Sequence, residues 1–125
     1  MIQPLIDTFF AAFATGPDCA ARLDALPALF LPQALIVRPG LAVDTVDSFI
    51  APRRTLLTGG GLTSFREWEV TGTTTVVGDI AQHLCTYAKE GVRDGKPFTG
   101  SGTKMLQLVR TPQGWRIAAL SWHDD

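Results

Sequence analysis

Four stretches rich in β-branched and aromatic residues fill the second half of the chain, and a turn signal separates each from the next. Residues 65–77 carry Trp68, Val70, Thr71, Thr73, Thr74, Thr75 and Val76, and Gly78-Asp79 turns them. Residues 80–89 form the next run, and Asp94-Gly95 follows, a pair suited to the left-handed conformations of a tight hairpin. Residues 99–110 end at Pro112-Gln113-Gly114, and residues 115–123 close the series. Strands of about ten residues joined by short turns can only pair antiparallel with their neighbours. The second half is therefore a long meander with two faces to cover.

The first half supplies the cover. Leu5, Ile6, Phe9, Phe10 and Phe13 recur at spacings of three and four, the stripe of a helix over residues 2–14, which Thr15-Gly16-Pro17 stops. Asp18 is placed to cap a second helix through Leu23 and Leu26, and Pro27 breaks or restarts it. Residues 34–37 form a continuous apolar run before Pro39-Gly40, which predicts a short buried strand. Asp47 is placed to cap a third helix carrying Phe49, Ile50, Leu56 and Leu57, ended by Gly59-Gly60-Gly61. Helices first and strands after argue an α+β domain, with the helices on one face of the sheet. The 125 residues, 46% of them hydrophobic, suffice for one domain with its own core, residues 1–125.

Charge and cysteine content exclude several functions. A net charge of −1 offers no field for a nucleic-acid backbone or an anionic membrane. No apolar run reaches the roughly 20 residues that span a bilayer, and residues 1–14 lack the basic start of a secretion signal. The expected location is the cytoplasm. Cys19 and Cys85 stand in no CxxC spacing and read as buried thiols. His83 and His123 stand far apart, without HxH or HExxH spacing, so no metal site and no cofactor is expected. Gly59-Gly60-Gly61 lacks the Lys-Ser/Thr that follows a phosphate-binding loop.

The order of elements, with the runs at residues 9–13, 28–37 and 114–122, resembles the nuclear transport factor 2-like superfamily, which includes ketosteroid isomerase, scytalone dehydratase and SnoaL-like cyclases. The resemblance implies a cone-shaped, cystatin-like roll: helices packed on a curved antiparallel sheet of four long strands plus a short first strand. It further implies a conical pocket and often a dimer through the outer sheet face. It also tests the chemistry. Where the isomerase has its base aspartate, this chain has Arg38; its oxyanion tyrosine falls on Phe9, and its oxyanion acid falls near Lys104. A guanidinium is no base at neutral pH, so isomerase chemistry is rejected.

The residues left for a pocket are Phe9, Phe13, Arg38, Lys104, Ser121 and His123. Arg38, Lys104 and His123 would make it cationic, suited to a carboxylate, enolate or phosphate. His123, His83 and Arg38 are the catalytic candidates. Alternation places His83, Cys85 and Tyr87 on one face of their strand, with the inward face undecided. Trp122 alternates with Ser121 and His123, so a pocket lined by those two would put Trp122 on the outer face as the anchor of a homodimer. Glu67 and Glu69 share a face with Phe65 and read as a solvated stripe of sheet, while Trp115 reads as core. The function taken forward is a pocket domain that binds a small anionic or enolisable organic molecule. Two alternatives stand beside it: a cyclase-, dehydratase- or isomerase-like enzyme of the SnoaL-like kind, and a non-catalytic dimeric interaction module.

Overall fold

A computed structural model describes residues 1–125. The helices are α1 (Gln3–Ala11), α2 (Cys19–Ala25) and α3 (Val46–Thr58), with a 3-10 turn at Leu26–Leu29. The strands are β1 (Phe30–Arg38), β2 (Ala42–Asp44), β3 (Leu62–Val77), β4 (Ile80–Arg93), β5 (Lys96–Thr111) and β6 (Gly114–Asp124). They form one open sheet in the order β2-β1-β6-β5-β4-β3. Every neighbouring pair is antiparallel except β1 with β6, which run parallel. The expected α+β roll is found.

The hairpins follow their turn residues. Asp94 and Gly95 both take positive φ, 51° and 79°, and join β4 to β5 in a two-residue loop. Bulges bend the sheet. Register shifts interrupt β3 against β4 between Thr63 and Arg66 and again between Glu69 and Thr71, and one lies in β5 against β6 at Gln107/Leu108. Each extra residue deepens the local twist and curls the sheet around the helices.

Three local expectations change. The first strand spans nine residues instead of four, because its parallel pairing with β6 already begins at Phe30 opposite Ile117. Asp47 does not cap α3. Thr45 does: its Oγ1 accepts from Ser48 N at 3.1 Å while Thr45 N donates to Ser48 Oγ at 2.9 Å. Asp18 occupies the N-cap position of α2, but its side chain makes no capping hydrogen bond.

The core lies between the helices and the concave face. Leu5, Ile6, Phe9 and Phe10 of α1 are buried against Phe30, Ile36, Leu106, Leu108, Ile117 and Leu120. Each such side chain contributes about 1.5–3 kcal/mol on leaving water. Edge-on rings continue outward from the core: Phe9 to Phe13 at 5.1 Å, Phe13 to Phe49 at 5.9 Å, and Phe49 to Trp122 at 5.7 Å. The last of these rings border a cavity.

Candidate functional site

Alternation decides which side chains the concave face presents. In β4 the inward residues are Ala81, His83, Cys85 and Tyr87, all buried, with Lys89 following them. Cys85 pairs with Lys104 of β5, and Lys104 with Trp122 of β6, so Lys104 and Trp122 also face inward. Where the helices stop covering this face, a cavity of about 980 Å³ opens. Phe13, Phe49, Phe65, Tyr87, Phe98 and Trp122 wall it with rings. Arg38, Arg53, Lys89, Arg93, Lys96 and Lys104 line it with positive charge, against Glu67, Asp94 and Asp124. The chain is nearly neutral as a whole, but this cavity is basic.

Two cations lie deepest. Lys104 is buried, and its Nζ sits 4.1 Å from the Tyr87 ring centroid and 4.8 Å from that of Trp122. The nearest carboxylate oxygen is Glu67 Oε2, 3.7 Å away. Burial pulls the amine below the ordinary lysine range, and the Glu67 charge opposes part of that pull. Arg53 comes from α3, one turn after Phe49, so its guanidinium folds back over the Phe49 ring at 4.1 Å and reaches 5.5 Å from that of Trp122. It donates to the Phe49 carbonyl at 2.9 Å. Pro52, inside the helix, has no N–H and so leaves the ladder open in this turn.

Tyr87 supports this floor. Its hydroxyl donates to Asp124 Oδ1, and burial followed by that bond raises the phenol well above its usual range, so it stays neutral. Glycine makes room for it. A methyl at Gly102, directly opposite on β5, would lie 2.6 Å from Tyr87 Cζ. Lys89 Nζ stands 3.9 Å from the same Asp124 oxygen. Arg38 ends β1 at the cavity mouth and is held 2.5 Å from Asp44 Oδ2.

A second polar cluster lies under α1. His83 Nε2 is 2.6 Å from Glu69 Oε2, and its Nδ1 is 2.7 Å from Thr74 Oγ1. Gln3 Nε2 donates to the other Glu69 oxygen at 3.0 Å. With Cys85, the ligand atoms of Glu69 and His83 lie within 4.8 Å of one another, the one arrangement here that a metal ion could use. Burial, and then the Glu69 charge, pushes the Cys85 thiol up to about 11, so it holds its proton. Three donors, two of them already hydrogen-bonded together, fall short of the four that close a structural zinc site. Iodoacetamide at pH 8 is accordingly expected to leave both buried thiols of the native chain unmodified and to label both in denaturant, read by intact mass. Rapid labelling of the folded protein would contradict this account.

The structure sorts the residues singled out from sequence. Phe13, Arg38 and Lys104 line the cavity. Phe9 does not: it is fully buried in the core, because α1 turns that face onto Phe30 and the sheet. Ser121 and His123 are exposed on the convex face, and Trp122 between them points into the cavity. The expected sides of β6 are thus reversed, and Trp122 cannot anchor a dimer through the outer face. The polar residues take the water-facing side, and the ring takes the side lined by other rings. His83 faces inward but sits in its own hydrogen-bonded cluster. Glu67 and Glu69 are not a solvated stripe. Their side chains are 11% and 19% exposed, paired with Lys104 and His83. Arg53, Tyr87 and Asp124 were not anticipated. Arg53 was nonetheless legible: it stands four residues from both Phe49 and Leu57, in the middle of an apolar helix face.

No family model and no curated protein matches this chain. Solved structures do. The chain is similar to an NTF2-like protein of unknown function in nutrient uptake from Rhodospirillum rubrum, with 22% identity over 100% of this chain and 98% of that one and a TM-score of 0.78. It is similar to an NTF2-like protein with a cystatin-like fold from Novosphingobium aromaticivorans, with 20% identity over 96% and 79% of the two chains and a TM-score of 0.72. It is also similar to a hexachlorocyclohexane dehydrochlorinase, LinA type 2, with 11% identity over 99% and 82% and a TM-score of 0.81.

Proposed function

From the nuclear transport factor 2-like fold of this chain, we propose that its cavity binds a small organic anion, a carboxylate carried on an aromatic or otherwise planar body. The observation that carries this reading is Arg53. Arg22, Arg38, Arg54, Arg66 and Arg110 each have an aspartate or glutamate partner; Arg53, Arg93 and Arg116 form no ion pair, and of these three only Arg53 lies over aromatic rings. It is half-buried on two aromatic rings at the cavity, where burial disfavours its charge. A guanidinium withdrawn from water without a carboxylate is costly, and a bidentate carboxylate ligand supplies the missing partner. The rings of Phe49, Phe65, Phe98 and Trp122 then take the apolar body.

Phenylacetate and its neutral amide test this. Trp122 lies in the cavity wall, so occupancy changes tryptophan fluorescence. The acid is expected to give a saturable change and to raise the melting temperature, and the amide is not. Equal binding of the two compounds would remove the anion from the account.

Leu35, Leu84 and Met105 are exposed on the convex face in place of Trp122 and are the apolar patch offered there to a second copy of the chain. Sedimentation of the Met105→Glu variant beside the unmodified protein tests that patch. An unchanged mass for a dimeric parent would rule it out.

A further inference from the structure

The anion site accounts for Arg53 but leaves Lys104 unexplained. A lysine is seldom buried, and this one is less than a tenth exposed at the floor of a cavity. Its surroundings would serve a second bond to the same ligand. Lys104 Nζ and Arg53 Cζ lie 4.8 and 5.5 Å from the centroid of one ring, Trp122, so both cations border the same part of the cavity. Glu67 Oε2, 3.7 Å from Nζ, is placed to take and return a proton.

We propose that Lys104 condenses with the carbonyl carbon of a 2-oxo acid whose carboxylate is held by Arg53. This rests on the anion-binding reading and adds a substrate class and a reaction to it. Glu67 takes one proton from the ammonium of Lys104. The freed nitrogen lone pair forms a C–N bond to C2, and the carbonyl π electrons move to oxygen. That oxygen leaves as water with two of the three ammonium protons, one of them returned by Glu67. The product is an iminium on Nζ, so net charge is unchanged.

Three features favour the step. Burial lowers the amine's proton affinity, more than the Glu67 and Asp124 charges raise it, and this frees the lone pair. The faces of Tyr87 and Trp122, which hold an ammonium, hold an iminium equally well. Tyr87 stays neutral and fixed by Asp124, so it does not compete with Glu67 as the base. The adduct primes C3 of the oxo acid for proton loss, because the iminium is a stronger electron sink than the parent ketone.

Borohydride reduction in the presence of phenylpyruvate, followed by peptide mapping, tests the proposal. The expected result is one reduced adduct, on the peptide containing Lys104, lost in Lys104→Arg. Lysine-to-arginine preserves the charge opposite Glu67 but cannot condense. The mapping of the unmodified protein stands even if that variant fails to fold. No adduct, or an adduct on Lys89, Lys96 or the terminal amine instead, overturns the proposal. Phenylacetate fluorescence on the same sample separates the two claims. If phenylacetate binds and Lys104 is unmodified, the covalent step is wrong and the anion site stands. If phenylacetate does not bind, the anion site is wrong as well.

Discussion

Arg53→Gln is expected to weaken phenylacetate binding by about 10–100-fold while leaving the melting temperature nearly unchanged. A hydrogen bond to a charged group contributes about 1.5–3 kcal/mol, and each 1.4 kcal/mol is tenfold in affinity. The lower part of that range applies to the extent that water still reaches the guanidinium. Stability should hold because the side chain has no ion pair to lose, only one bond to the Phe49 carbonyl and its stacking on two rings. Arg53→Lys should fall between the two, keeping the charge without the fork. Titration by tryptophan fluorescence reads all three proteins. An Arg53→Gln variant that binds as tightly as the parent would show that the anion is held elsewhere.

Phe9→Ala should do the opposite. It should destabilise the fold by about 3–5 kcal/mol, the usual loss for a buried phenylalanine, and leave the affinity of the folded fraction intact. Phe9 has no exposed surface and lies 5.1–6.3 Å from the rings of Phe10, Phe13 and Phe30. Domains of this kind have about 5–15 kcal/mol of stability in total, so such a loss removes a large share. Chemical denaturation measures it. A large loss of affinity with little loss of stability would return Phe9 to the cavity wall.

These two residues show what the sequence could reveal. The sheet was legible because its hairpins are local. Gly78-Asp79, Asp94-Gly95 and Pro112-Gln113 mark strand ends within a few residues of the pairing they create. The first strand was not, because its partner β6 lies far along the chain and the pairing is parallel, with no turn to announce it. Burial on β3 was illegible for a different reason. Alternation holds only between bulges, and the shifts after Thr63 and Glu69 change which parity faces inward. Between those shifts Phe65, Glu67 and Glu69 do keep one face, and the two carboxylates looked like a solvent stripe only because their partners Lys104 and His83 and the cover of α1 come from other parts of the chain. On β6 the error came from treating polar residues as pocket residues. The cavity is walled by rings, and its deepest charges come from the long side chains of Lys104 and Arg53.

The central claim is that an anion occupies this cavity against Arg53. A crystal structure of the complex with phenylacetate tests it most directly. The account predicts the carboxylate within hydrogen-bond distance of the Arg53 guanidinium and the ring packed on Phe49 and Trp122. A ligand seated on the convex face beside Ser121, or in the cavity with its carboxylate turned away from Arg53, would contradict it.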